Sequence, residues 1–195
     1  MAQRRAAWMR QMLQRDNQIV DVQIVRSLGR SAYFFASTSI LVLAGRIAIL
    51  GATERAIGFA RSIPISSPVR EELLEVKIMS LIVVFVYAFF KFGWAMRQLH
   101  YCSIIVGAVA GPGDLTDVDR KRAENASRVA SIASPHTNRG IRACYFGSAL
   151  LVWHIHLFAL IISSVVVVVV LYRREFHSRT LWLIMTDNLT VRPEI

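Results

Sequence analysis

Apolar positions in this chain come in long unbroken blocks separated by charged stretches, and only its first segment shows a one-sided stripe. The first block is Tyr33 to Ala52, YFFASTSILVLAGRIAILGA. At about 1.5 Å per residue it covers about 30 Å, the thickness of a bilayer's hydrocarbon. The second block runs from Val76 to Ala95. A further apolar stretch, Leu99 to Gly111, is too short to span and either extends the second helix or dips in as a re-entrant piece; Gly111-Pro112-Gly113 ends it. The last block, Ile141 to Leu171, is one long tilted helix or two pieces broken near Trp153–His156. Each arm of a hairpin would hold only about fifteen residues, short of a span, so three crossings are preferred to four. The valine run 165–170 suggests a strand in water, but lipid excludes an unpaired strand and favours helix.

The polar segments complete the plan. In residues 4–30, Trp8, Met12, Val20, Ile24 and Leu28 recur near helical spacing among arginines, which predicts a basic amphipathic helix on the bilayer surface. Thr53 to Leu74 is a loop with Pro64 and Pro68. Residues 114–140 form a polar cytoplasmic segment with a helix from Asp117 to Ala133, broken by Pro135; 172–195 is a tail. The fold class is therefore all-α: an integral membrane protein in one domain of 195 residues.

Composition and charge agree. Apolar residues make up 54%, and the net charge is +10. The cations flank apolar blocks and do not line one polar face, so anionic headgroups explain them and nucleic acid does not. Residues 1–30 carry six arginines against two acids, 53–75 three against four, and 91–142 eight Lys or Arg against four. Basic, neutral, basic places the N-terminus and the 112–140 loop in the cytoplasm. Arg173, Arg174 and Arg179 beyond the last block conflict with three crossings and would be explained by a hairpin.

Candidate chemistry is sparse. Cys102 and Cys144 have neither disulfide nor zinc spacing and read as packing residues. His154 and His156, two apart on a helix, diverge by about 200° and are expected to bond neighbouring helices, not to chelate one metal. His100 with His154 is the one conceivable haem pair. Ser37, Thr38 and Ser39 are expected to bond back to carbonyls one turn earlier. No GxSxG, HExxH or Walker loop occurs, so no enzyme, cofactor or metal is expected. Small residues Ala44, Gly45, Ala48 and Ala52 would let another helix approach closely, as in a homo-oligomer or a complex with other membrane subunits.

The ionisable residues near the boundaries are the candidate functional or lipid-contact set. Arg15, Asp16 and Asn17, Lys91 and Arg97, and His136, Asn138 and Arg139 are expected at one bilayer level. There they pair, hold a lipid phosphate or line an anion entrance. Glu75 and Lys77 lie at the opposite face, where Arg46 is expected to approach Glu75. The readings this supports are an oligomeric or accessory membrane component and, as an alternative, a small oligomeric channel or transporter for an anion or polar solute.

In order along the chain, WMRQMLQRDNQIVD at 8–21, FFASTSILVLAG at 34–45, ELLEVK at 72–77, YAFFKFGWAMRQ at 87–98, TNRGIRACYF at 137–146 and LYRREFHSR at 171–179 together resemble the membrane family known as domain of unknown function 599, found in bacteria and plants. The resemblance covers nearly the whole chain and implies a bacterial inner-membrane protein, with no biochemistry to carry over. Members usually carry one more apolar helix ahead of the WMRQM stretch, so the helix count and the side of the N-terminus stay open.

Overall fold

The computed structural model describes residues 2–52, 55, 58, 71–110 and 115–176. The expected 53–70 loop, the Gly111-Pro112-Gly113 stop and the tail beyond 176 lie outside the described residues. Five helices follow in order: α1 Ala2–Met12, α2 Ile19–Leu50, α3 Glu71–Gly107, α4 Asp117–Val152 and α5 Leu157–Phe176.

Three of them, α2, α3 from Glu72, and α5, are long and apolar enough to cross a membrane. The chain is an all-α membrane protein. On α5, Phe158, Ile161, Ile162, Val165 and Val166 are each more than half exposed, and only Val167 is buried. A face of that size would be untenable in water, so hydrocarbon is its medium.

α3 is about 55 Å long by helical rise, nearly twice the hydrocarbon thickness, and runs unbroken through Leu99–Gly107. The short apolar stretch is thus an extension of the second spanning helix, not a re-entrant piece. α4 lies antiparallel along it: Cys102 Sγ meets the Ala126 carbonyl at 3.5 Å, and further along the rings of Phe92 and Phe85 cover Gly140 and Gly147. α2 is also antiparallel to α3, with Phe35 stacked on Phe92 at 5.4 Å between centroids and Gln18 donating to the Ala110 carbonyl.

The core has two parts. Met9, Met12, Val25, Leu99, Val106, Ala126 and Ala130 join α1, the start of α2, the end of α3 and the start of α4 in a cap. Ala32, Ala36, Ala88, Phe92 and Ala143 fill the bundle beyond it.

Three expectations change. The surface helix over 4–30 is two elements: α1 ends at Met12, the chain turns, and residues 19–30 begin α2. Asn17 Oδ1 accepts from the Ile19 amide at 2.9 Å, satisfying a free donor at the new helix start. Pro135 does not break its helix, since α4 is continuous from Asp117 to Val152. Its cost, about 3 kcal/mol in a helix interior, is offset by a seam of small residues on both sides: Ala123, Ala126, Ala130 and Ala133, then Gly140, Ala143 and Gly147. Of the two alternatives for the 141–171 block, the preferred single helix gives way to the hairpin broken at Trp153–His156. Trp153–His156 form the turn, and His156 Nδ1 accepts from the Phe158 amide at 3.2 Å to start α5. The apolar end of α4 therefore lies beside the three candidate spanning helices, and Arg142 pairs with Glu175 across the hairpin.

A Cβ at Gly140 would stand 2.7 Å from the Phe92 ring, which is fully buried and has nowhere to retreat. Gly140→Val should destabilise the bundle by about 1–3 kcal/mol, as overpacking does. Thermal unfolding in detergent measures it, and Phe92→Leu in the same chain should recover part of the loss.

Candidate functional site

Titratable side chains gather in two places, one at each end of the bundle. The cap holds the better-built cluster. Asp21, on the first turn of α2, is fully buried. Its Oδ1 accepts from Trp8 Nε1 and from an Arg15 terminal nitrogen, both at 2.7 Å. α1, the turn and α2 are thereby clasped by one carboxylate oxygen, while Oδ2 has no partner among the described residues. The Arg15 guanidinium is 39% exposed, so the pair is half-solvated and its charge partly screened.

A second carboxylate lies in the same cap. Asp119 closes a capping box with Thr116 at the start of α4, receives the Ala110 amide at 3.4 Å and pairs with Arg122 at 2.9 Å. The Thr116 hydroxyl and then the Thr116 amide pull its pKa down to about 2; burial opposes them, and Ala110 and Arg122 assist.

At the other end, an Arg46 terminal nitrogen stands 3.2 Å from His154 Nε2, and His154 Nδ1 lies 3.4 Å from the Leu150 carbonyl. That pattern suits a neutral imidazole donating from Nδ1 to Leu150 and accepting from Arg46 at Nε2. Burial, then the Arg46 and Lys77 charges, push the His154 pKa down, in keeping with it. Lys77 Nζ sits 5.5 Å from the Trp153 ring centroid. Arg46 thus faces His154, and among the described residues no ion pair joins it to Glu75, which is exposed. The expected Arg46–Glu75 pairing is replaced because the hairpin turn brings His154 to α2.

The expected single level of cap and boundary residues also fails. Gln18, beside Arg15, Asp16 and Asn17, reaches Ala110 just past the end of α3. Lys91 lies roughly 24 Å short of that end along the helix. Arg15 serves the Asp21 clasp, Asn17 starts α2, and Asp16 is exposed. Nearer the spanning segments, Lys91 lies 5.1 Å over the Tyr87 ring and Arg97 Nε donates to the Tyr101 hydroxyl at 2.9 Å. His136 lies 6.1 Å from the Trp94 ring; burial, then Lys91 and Arg139, lowers its pKa. Asn138 and Arg139 are exposed beside it.

His154 does bond a neighbouring helix, whereas His156 only caps its own. His100 and His154 are at opposite ends of the bundle and cannot flank one macrocycle. Thr38 and Ser39 bond back to Phe34 and Phe35 as expected. Sequence reasoning missed Asp21, which it counted only as one of two acids among the arginines of residues 1–30. The available signal was the string 8–21, whose first and last residues, Trp8 and Asp21, are hydrogen-bonded to each other.

The fold and these sites define a helical membrane protein: three apolar helices, a fourth packed beside them, and a cap closed on buried carboxylates. The chain belongs to the family described as protein of unknown function, DUF599, which matches residues 1–180. Neither a search of curated proteins nor one of solved structures found a match.

Two outcomes follow from the cap. Asp21→Ala should release α1 at a cost of about 1–3 kcal/mol, because a buried acceptor is removed from two donors. Faster tryptic cleavage after Arg15, with the spanning helices intact by circular dichroism, reads it out. The Asp119 contribution is fully present above the unfolded carboxylate value near 4 and is lost as pH falls through about 2. In an acid titration, Asp119→Asn should remove that part of the pH dependence and leave a cap that is weaker at neutral pH.

Proposed function

We propose that this protein is a non-enzymatic scaffold of a bacterial inner membrane, working as an oligomer or as an accessory subunit. The observation that carries the reading is the orientation of α2. Its buried positions, Ala32, Ala36 and Ser39, face α3, whereas Ala44, Gly45 and Ala48 point outward, and a Cβ on Gly45 would meet nothing within 4 Å. Small residues on an outward face let a second helix come close enough for backbone contact. The interior supports the same reading: Phe85 and Phe92 are packed onto glycines, so this bundle resembles a strut more than a conduit.

The basic cap lies on the cytoplasmic side in this reading. The α4–α5 hairpin returns Arg173 and Arg174 to the end that holds Arg139 and Arg142, which removes the charge conflict left by three crossings. An anion pathway would need Arg46, Arg97 and Arg139 in one passage. Arg46 lies at the far end from the other two, so such a passage would have to form between chains.

The test is a cysteine at Ala48 in a chain whose Cys102 and Cys144 are replaced by alanine. Oxidation in native membranes should give a crosslinked dimer or a crosslinked partner, and Gly45→Leu should reduce that product several-fold. A chain that stays monomeric and partnerless in nanodiscs, with Gly45→Leu indistinguishable from the parent, would overturn the proposal.

A further inference from the structure

A groove of about 380 Å³ runs between α2 and α3 where the bundle meets the cap. Its floor is apolar, built by Val25, Met96 and Leu99. Four polar side chains stand along it: Ser103 donates to the Leu99 carbonyl, whereas Arg26, Tyr33 and His100 have no hydrogen-bond or ion-pair partner among the described residues. The groove exists because of Gly29: the position is buried, yet a Cβ there would meet no atom within 4 Å. A few polar groups free to take a ligand beside an apolar cleft of this volume are the usual form of a small-molecule site.

The placement says what kind of molecule fits. Tyr33 is level with Trp94 of α3, and Lys91 stands one turn further into the bundle, the aromatic and cationic belt expected at a bilayer boundary. Arg26 lies about 10 Å further out along α2, which is where a phosphate stands relative to the hydrocarbon edge. No carboxylate lines the groove. We infer that this groove binds one anionic phospholipid. Its phosphate lies at Arg26 and His100, its glycerol against Gly29 and Leu99, and the start of an acyl chain on Met96 and the Tyr33 ring. The inference needs only the membrane bundle and stands whether or not the chain assembles.

Gly29 provides the decisive variant, since a Cβ there meets nothing within 4 Å, and Gly29→Leu projects into the groove and replaces a weak helix former. The full chain is reconstituted in nanodiscs of phosphatidylcholine alone or of an equimolar mixture with phosphatidylglycerol. Retained lipid is then counted by native mass spectrometry after detergent release. The parent should keep phosphatidylglycerol selectively. Gly29→Leu, and Arg26→Gln with His100→Gln, should each reduce that retention about tenfold, the worth of one charge-assisted hydrogen bond. Arg120→Gln, an exposed cation at the start of α4, should leave it unchanged. Circular dichroism confirms that each variant is folded, and Gly29→Ala, which fills less of the groove, gives an intermediate loss. The inference is overturned if Gly29→Leu keeps the lipid, if Arg120→Gln loses as much as the groove variants, or if inorganic phosphate competes as well as the lipid does.

Discussion

The contact on which this architecture depends is the close approach of α3 and α4, where two aromatic rings pack against two glycines. Gly140 receives Phe92 and Gly147 receives Phe85, and alanines extend the same seam into the cap. Lipid offers no hydrophobic drive between helices, so association inside the bilayer must come from packing of this kind. Because α4 is held along its length, it can keep Pro135 and still run from a polar start to an apolar end. α2 then packs on the other side of Phe92 through Phe35.

Outside the hydrocarbon the controlling forces change. The cap is closed by buried carboxylates: Asp21 gathers α1 and the α1–α2 turn, and Asp119 ties the start of α4 to the end of α3. At the opposite end the Arg46–His154 contact holds the hairpin turn against α2. Each end of the bundle is thus fastened by polar contacts, and the span between them by shape.

The class of protein was legible because hydrocarbon imposes length and apolarity directly on the sequence; the block at 76–95 falls inside α3 and all but the last two residues of 33–52 fall inside α2. The boundaries were less legible because a helix need not end where the bilayer does, and α2 and α3 carry spanning and cap segments in one piece. The break at Trp153–His156 was legible as an alternative, but the length argument favoured one helix because the turn contains neither glycine nor proline, only His156 as a cap. Pro135 misled for a different reason, since propensity was outweighed by the Ala126–Gly147 seam that crosses it. Among the candidate residues, the partners of the charges were not legible. Arg46 meets a histidine 108 positions away and Arg15 a buried aspartate, pairings fixed by tertiary contact and not by spacing.

The most direct test asks where the apolar end of α4 lies. A nitroxide at Phe146 or Ser148, both outward-facing, is compared in a reconstituted bilayer with one at Val118 in the cap. The account predicts high oxygen and low nickel-chelate accessibility at 146 and 148, and the reverse at 118. Free access of the nickel chelate to 146 and 148 would contradict it.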